Sequence, residues 1–192
     1  MCIRDSRVAD QRVGYFSQRV TDMSTYDNYP QRDLINKWRL IKKDPSAELS
    51  EPVKPIVFWV DKATPEEIKP FVVEAIELWN IAFEKAGFKN AVVAKIQPDD
   101  AEWDAGDVQY NVIRWASTPS PRYSGYGPSV ANPRTGEMIA ADIVQEFNSI
   151  SYGYRLRKIW GYDEENDPLR QWIVSLTPVS YTHLTLPTTS MV

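Results

Sequence analysis

The sequence predicts an α/β fold, a β-sheet with one long helix packed on it, and three observations carry that expectation. Ile56-Val57-Phe58-Trp59-Val60 is a short β-branched and aromatic run between Pro55 and Asp61, the pattern of a buried strand. Thr64-Pro65-Glu66-Glu67 follows as a helix start, with Thr64 as cap, Pro65 in the first turn and Glu67 at the capping-box position. Apolar residues then recur at Ile68, Phe71, Val72, Ala75, Leu78, Trp79, Ala82 and Phe83, one stripe at helical period. Trp79 and Phe83 are expected to be buried, with Glu74, Asn80 and Lys85 towards solvent. Gly87 is expected to end the helix as a left-handed cap, with Phe88 packing back behind it. Third, the segments that come next read as strands: Ala91 to Ile96, and Tyr110 to Ala116, where Val112/Arg114 alternate with Ile113/Trp115.

The remaining elements are read in chain order. Val13-Gly14-Tyr15-Phe16 and Lys37-Trp38-Arg39-Leu40-Ile41 suggest short strands either side of the polar stretch Tyr26-Asp27-Asn28-Tyr29-Pro30. Lys42 to Ser46 reads as a turn. Glu51-Pro52-Val53-Lys54-Pro55 reads as an extended linker, because residues before proline avoid the helical region. A boundary is placed there, with 7–50 as the end of a preceding domain and 51–177 as the domain proper. Ser117 to Gly127 is a Ser-, Pro-, Gly- and Tyr-rich loop. Val130 to Asn132 and Met138 to Phe147 flank the hairpin-like turn Pro133-Arg134-Thr135-Gly136, and Tyr152 to Trp160 suggests a further helix before the polar turn at 163–167.

The two ends read differently from the interior. Met1 to Ser6 is what ATG TGT ATA AGA GAC AG encodes, and Val179 to Thr189 matches the reverse complement of the same end running on. Both resemble the transposon ends used to fragment sequencing libraries, so 1–6 and 178–192 are expected to be adapter-derived and to make few contacts with the core. Cys2 and His183, the only cysteine and histidine, fall in these ends. The interior therefore lacks the usual zinc, copper and haem ligands and the histidine of triad chemistry. The net charge of -4, with no basic cluster, argues against a nucleic-acid partner. The 43% hydrophobic and 12% aromatic content suffices for a core, yet no run reaches the length of a membrane span.

Three groups of residues invite a chemical reading, and each has a plainer rival. Asp99, Asp100, Glu102, Asp104 and Asp107 form an acidic loop, but their spacing is not that of a calcium loop, and a solvated loop is expected. Tyr123 and Tyr126 suggest a stacking surface for sugar or peptide, against the plainer expectation that they pack over a core edge. Glu74 and Glu77 lie on a polar helix face. Asp142 and Glu146 alternate to one side of a strand, close enough in sequence to perturb each other. There is no P-loop, no dinucleotide-binding glycine fingerprint and no HExxH.

Several stretches together resemble the large bacterial zinc-dependent metalloproteases of the metzincin type. They are Trp38-Arg39-Leu40 with Lys43-Asp44-Pro45, Glu51 to Phe58, Ala75 to Phe83, Ala86 to Ala91 and Tyr110 to Trp115. Gly127 to Val130, Asn132 to Glu137 and Ala141-Asp142-Ile143 complete the set. The resemblance covers about Arg39 to Phe147 in unbroken order. It implies a mostly parallel sheet with one long packed helix and an antiparallel edge strand, an incomplete metzincin-like N-terminal subdomain. That edge strand is expected near Met138 to Val144, with Met138, Ile139, Ala140, Ala141, Asp142 and Ile143 binding an extended peptide by backbone pairing.

The resemblance further implies a parent zinc metallopeptidase acting on peptide or protein substrates, located in the periplasm, at the outer surface or outside the cell. The zinc-binding histidines and the glutamate base would lie downstream. No residue here matches them, so the chain by itself is expected to bind no catalytic zinc and to cleave nothing. The edge at Met138 to Val144 would then stand open, an aggregation site. The rival reading is a non-enzymatic peptide- or glycan-binding α/β module using the Met138 strand and the Tyr123/Tyr126 loop.

Overall fold

The computed structural model describes residues 8–10, 12, 16–163 and 165–181. In chain order these form β1 (Ser17–Thr21), β2 (Gln31–Ile35), β3 (Ile56–Val60), α1 (Lys69–Glu77), α2 (Asn80–Lys85) and β4 (Val92–Ile96). They continue with β5 (Asn111–Ala116), β6 (Gly125–Tyr126), β7 (Ser129–Ala131), β8 (Met138–Ala141), β9 (Ile143–Glu146), α3 (Phe147–Trp160) and α4 (Pro168–Tyr181). The central sheet has the order β4-β3-β5-β9-β6. Its first four strands are parallel and β6 pairs antiparallel with β9. The fold is α/β, as the sequence predicts, with the mostly parallel sheet that the resemblance implies. Two antiparallel pairs, β1-β2 and β7-β8, lie outside it.

Strand β3 runs where its composition puts it. Ile56, Phe58 and Val60 are buried and join one cluster with Val72 and Ile76 of α1, Ile150 of α3, and Leu169 and Ile173 of α4. Val57 and Trp59, on the other face, are only half-buried. The sheet is thus dry under the helices and partly wet behind, the alternation expected of strands with one fully covered face.

The long helix departs from the expectation at both ends and in the middle. It begins at Lys69 rather than near Pro65, because Pro70 has no N–H to continue a ladder from Glu66. A single turn precedes it, with the Ile68 and Lys69 amides both donating to the Pro65 carbonyl. Thr64 caps no helix and is itself buried. At 78–79 the ladder tightens: the Trp79, Ile81 and Ala82 amides donate three residues back, to Ile76, Leu78 and Trp79 at 3.2, 3.1 and 3.0 Å. The stripe is therefore carried by two helices. Phe83 is buried, Trp79 only partly so. Asn80, expected in solvent, instead clamps β4, donating to the Val92 carbonyl at 2.9 Å and accepting from the Val92 amide at 3.0 Å. Glu74, also expected in solvent, pairs with Arg170 of α4. Gly87 does cap the end, at φ +84°, with its own amide on Glu84 and that of Phe88 on Phe83.

Two further expectations shift. Lys37 to Ile41 is not a strand; the strand falls at 31–35, and 37 makes an isolated parallel bridge to Glu137. The Val13–Phe16 expectation falls largely on 13–15, outside the described residues. The helix expected from Tyr152 starts five residues earlier, at Phe147. Residues before the boundary placed at 51 reach well into the body: Leu34 and Ile35 are buried, and Trp38 and Leu40 pack on the main cluster.

The expected adapter residues 1–6 and 182–192 lie outside the described residues, so the packing of His183 and Leu186 is not part of this structure. α4 continues through 178–181.

Candidate functional site

The stretch expected to form one edge strand is two strands that part at Asp142. β8 pairs antiparallel with β7, while β9 is an interior strand between β5 and β6. Met138, Ala140, Ala141 and Ile143 are buried, and only Ile139, at the bulge opposite Val130/Ala131, turns a large side chain to solvent (54%).

The other side of β8 is occupied as well. The Met138 amide donates to the Lys37 carbonyl at 2.9 Å, and the Ala141 amide donates to Asn111 Oδ1 at 3.0 Å. The expected open, aggregation-prone edge at 138–144 is therefore corrected: both strands are paired by the chain itself. The antiparallel edge of the main sheet is β6, two residues long.

Asp142 explains why the chain can change sheets there. Its Oδ1 accepts the Val112 amide of β5 at 3.0 Å, standing in for a backbone carbonyl. Asn111 does the same work one residue earlier, donating to the Val57 carbonyl at 2.8 Å while accepting from Ala141. Burial pushes the Asp142 carboxyl above the ordinary aspartate value, opposed by the Val112 hydrogen bond and by Arg114.

Glu146 does not share that environment. It sits at the far end of β9, four residues or roughly 13 Å along the strand, and is buried. Its two oxygens accept the Thr118 hydroxyl at 2.7 Å and the Thr118 amide at 3.1 Å. The two carboxylates do not form a catalytic pair.

Tyr123 and Tyr126 do not pack over a core edge; they are 67% and 54% exposed. In the acidic loop, Asp104 and Asp107 spend an oxygen each on turn amides, of Gly106 at 2.7 Å and Gln109 at 2.9 Å. The loop also carries a contact that charge counting overlooks. Trp103 stacks on Tyr110 at 4.0 Å, and both meet the edge of Trp59. Among the described residues no three His, Cys, Asp or Glu side chains gather into a metal-binding group. The described residues do not fit a zinc ion.

A polar junction that the sequence reading missed ties α3 and α4 to the turn that precedes α1. Arg157 is flanked by Asp167, at 2.7 Å from Nε to Oδ1, and by Glu67. The Asp167 hydrogen bond, and with it that of Glu67, raises the guanidinium pKa against the opposing effect of burial. Arg157 in turn holds the Asp167 carboxyl below its ordinary value. Asp167 Oδ1 also accepts the Leu169 amide at 3.0 Å, capping α4 ahead of Pro168. Asp-Pro before Leu169, Trp172 and Ile173 is a legible helix start. This junction is structural: both carboxylates meet the one guanidinium within the fold.

Site and fold together define an α/β domain in which Asn80, Asn111 and Asp142 serve the chain's own backbone. No family model, curated protein sequence or solved structure matches this chain. No helix among the described residues is long and apolar enough to cross a membrane.

Proposed function

We propose that this chain is the upstream part of a metzincin-type zinc metallopeptidase domain, inactive by itself because the metal-binding residues are not among its own. The observation that supports the reading best is the succession of elements: strand β3, the helical segment α1–α2, a mostly parallel sheet, and one antiparallel edge strand beside a strand that leads straight into a helix. The resemblance implies a strand, a long helix and a mostly parallel sheet with one antiparallel edge strand, placed there at 138–144 rather than at β6. α3 is not the zinc helix, because Phe147 to Trp160 contains no histidine.

On this reading the strand that would receive an extended peptide is β6, not 138–143. β6 is paired on one side only, with β9, and an added strand would continue the sheet by backbone hydrogen bonds. Met138 to Ile143 then act as support: their side chains are mostly core, and Asp142 and Asn111 hold the amino ends of β9 and β5 in place. In the complete domain a bound zinc would polarise the scissile carbonyl and lower the pKa of its water. Glu146 and Thr118 frame the end of β9 next to β6.

The test compares this chain with one extended along its natural reading frame. The extended chain is expected to contain HExxH, to bind one zinc tightly by calorimetry and to cleave casein, and this chain to do neither. An extension without HExxH would overturn the reading in favour of a peptide- or glycan-binding module, and stoichiometric tight zinc binding by residues 7–177 alone would overturn it as well.

A further inference from the structure

The central sheet has two edges, and β4 is the one away from β6. Successive residues of a strand turn their N–H and C=O groups to alternate sides, and the bonds around β4 fix which is which. The Ala91 carbonyl accepts the Ile56 amide at 2.8 Å, and the Gln97 amide donates to the Val60 carbonyl at 2.9 Å, so the odd-numbered residues face β3. Val92, Ala94 and Ile96 therefore turn their backbone outward. Both groups of Val92 are taken by the Asn80 carboxamide. The next outward position after Ile96 is Pro98, which has no N–H. Ala94 and Ile96 remain, and their N–H and C=O groups pair with nothing among the described residues. Ile96 also leaves its side chain 49% exposed.

An open edge is a template for another strand, and the strand always at hand is the same one in a second copy of the chain. Two identical strands related by a two-fold axis pair antiparallel. Centring that pair on Ala94 would set Val92 against Ile96, a rung the Asn80 carboxamide already fills. Centring it on Ile96 would call on Pro98 for an amide it does not have. One register makes both open rungs, with Ala94 of each copy opposite Ile96 of the other. In that register Lys95 stands directly opposite Lys95, in a non-hydrogen-bonded pair whose Cα atoms lie about 4.5 Å apart. Lys95 is exposed, and its ammonium lies 5.2 Å over the Trp59 ring, on the sheet face away from the helices. The two-fold axis stands perpendicular to the sheet, so both ammonium groups would share that face.

We infer that β4 is a pairing edge for a second copy of this chain that the chain itself keeps shut. Asn80 and Pro98 leave a single register open, and Lys95, facing its own copy in that register, closes it by charge. Like charges directly opposite one another oppose strand pairing, and unlike charges favour it. The sign of the side chain at 95 therefore decides whether two copies join. This inference does not rest on the peptidase reading, since β4 and β6 are opposite edges of the sheet.

The test follows the full chain by sedimentation velocity over a range of concentrations at low salt. Four samples are compared: the unaltered chain, Lys95→Val, Lys95→Glu, and an equimolar mixture of the unaltered chain with Lys95→Glu. The unaltered chain and Lys95→Glu are each expected to stay monomeric, because like charges still face each other. Lys95→Val is expected to form a dimer and the mixture a heterodimer, with dissociation constants at least about fivefold below that of the unaltered chain. Hydrogen exchange locates the contact: the Ala94 and Ile96 amides should slow in both dimers. A thermal melt reports whether each variant folds, and Lys95→Val keeps a good strand former at an exposed strand position. Three results overturn the inference. They are Lys95→Val and the mixture both remaining monomeric, the unaltered chain dimerising as tightly as they do, and dimers in which Ala94 and Ile96 exchange as freely as in the monomer.

Discussion

Single side chains in this protein substitute for backbone, and their loss should be felt well beyond their size. Asn80 supplies both a donor and an acceptor to Val92 at the edge of the main sheet. Asn80→Ala leaves two backbone groups without their partner, and about 2–3 kcal/mol of stability should be lost in urea unfolding. Asp167 is the second case, and its effect depends on pH. Arg157 lowers its pKa in the folded state, so its contribution is fully present above the unfolded value of about 3.9 and is lost as pH falls through the folded value. Asp142 has the opposite sign: burial raises its folded pKa, so stability falls as pH rises from about 4 through that value. Asp167→Asn keeps the α4 cap but breaks the Arg157 pair. It should cost about 3 kcal/mol at pH 7 and much less at pH 3, whereas Asp142→Asn should cost least at pH 7. Urea midpoints for both variants at the two pH values decide this; a pH-independent loss for Asp167→Asn would show that the pair contributes through packing alone.

At the level of elements, the helical stripe is right in period and wrong in continuity. Phe83 reaches the core beneath α2, while Trp79 stands at the tightened turn, half-covered. Phe83→Ala should therefore cost about 3–5 kcal/mol as a buried aromatic deletion, and Trp79→Ala measurably less, about 2 kcal/mol, because part of its surface is already wet. Equal losses would place the break elsewhere. The same distinction governs 138–143. The apolar content of that stretch was legible, but its division at Asp142 was not. Alternation along a strand identifies faces, and says nothing of which neighbour takes its backbone.

Across the whole molecule, the segment before Pro55 is wedged into the body rather than joined to it by a linker. Gly136 has φ +72°, and a Cβ there would lie 2.1 Å from the Ile35 carbonyl oxygen. Lys37 is bonded to Gly136 and Met138 on either side of that contact. Gly136→Ala combines a left-handed backbone with a clash against backbone, so a loss of at least about 3 kcal/mol is expected. Hydrogen exchange should rise at Lys37 and Met138 before it rises in β3. Unchanged protection at those two amides would mean that 34–40 is a separable layer.

What the sequence determined by itself is the local content: β3, β4 and β5 within a residue of their observed ends, the Gly87 cap, and the α/β class. Each follows from periodicity or from a backbone constraint acting over a few residues. Tertiary structure alone decided the rest. It placed β9 inside the sheet and β6 at its edge, set Asn80 and Asp142 on distant backbone, left Tyr123 and Tyr126 in solvent, and stacked Trp103 on Tyr110 against Trp59. The reason is that backbone hydrogen bonds between strands are not specific to side chains. Which strand satisfies which amide depends on the packing of the whole sheet under α1, α3 and α4, information that no short window of the chain contains.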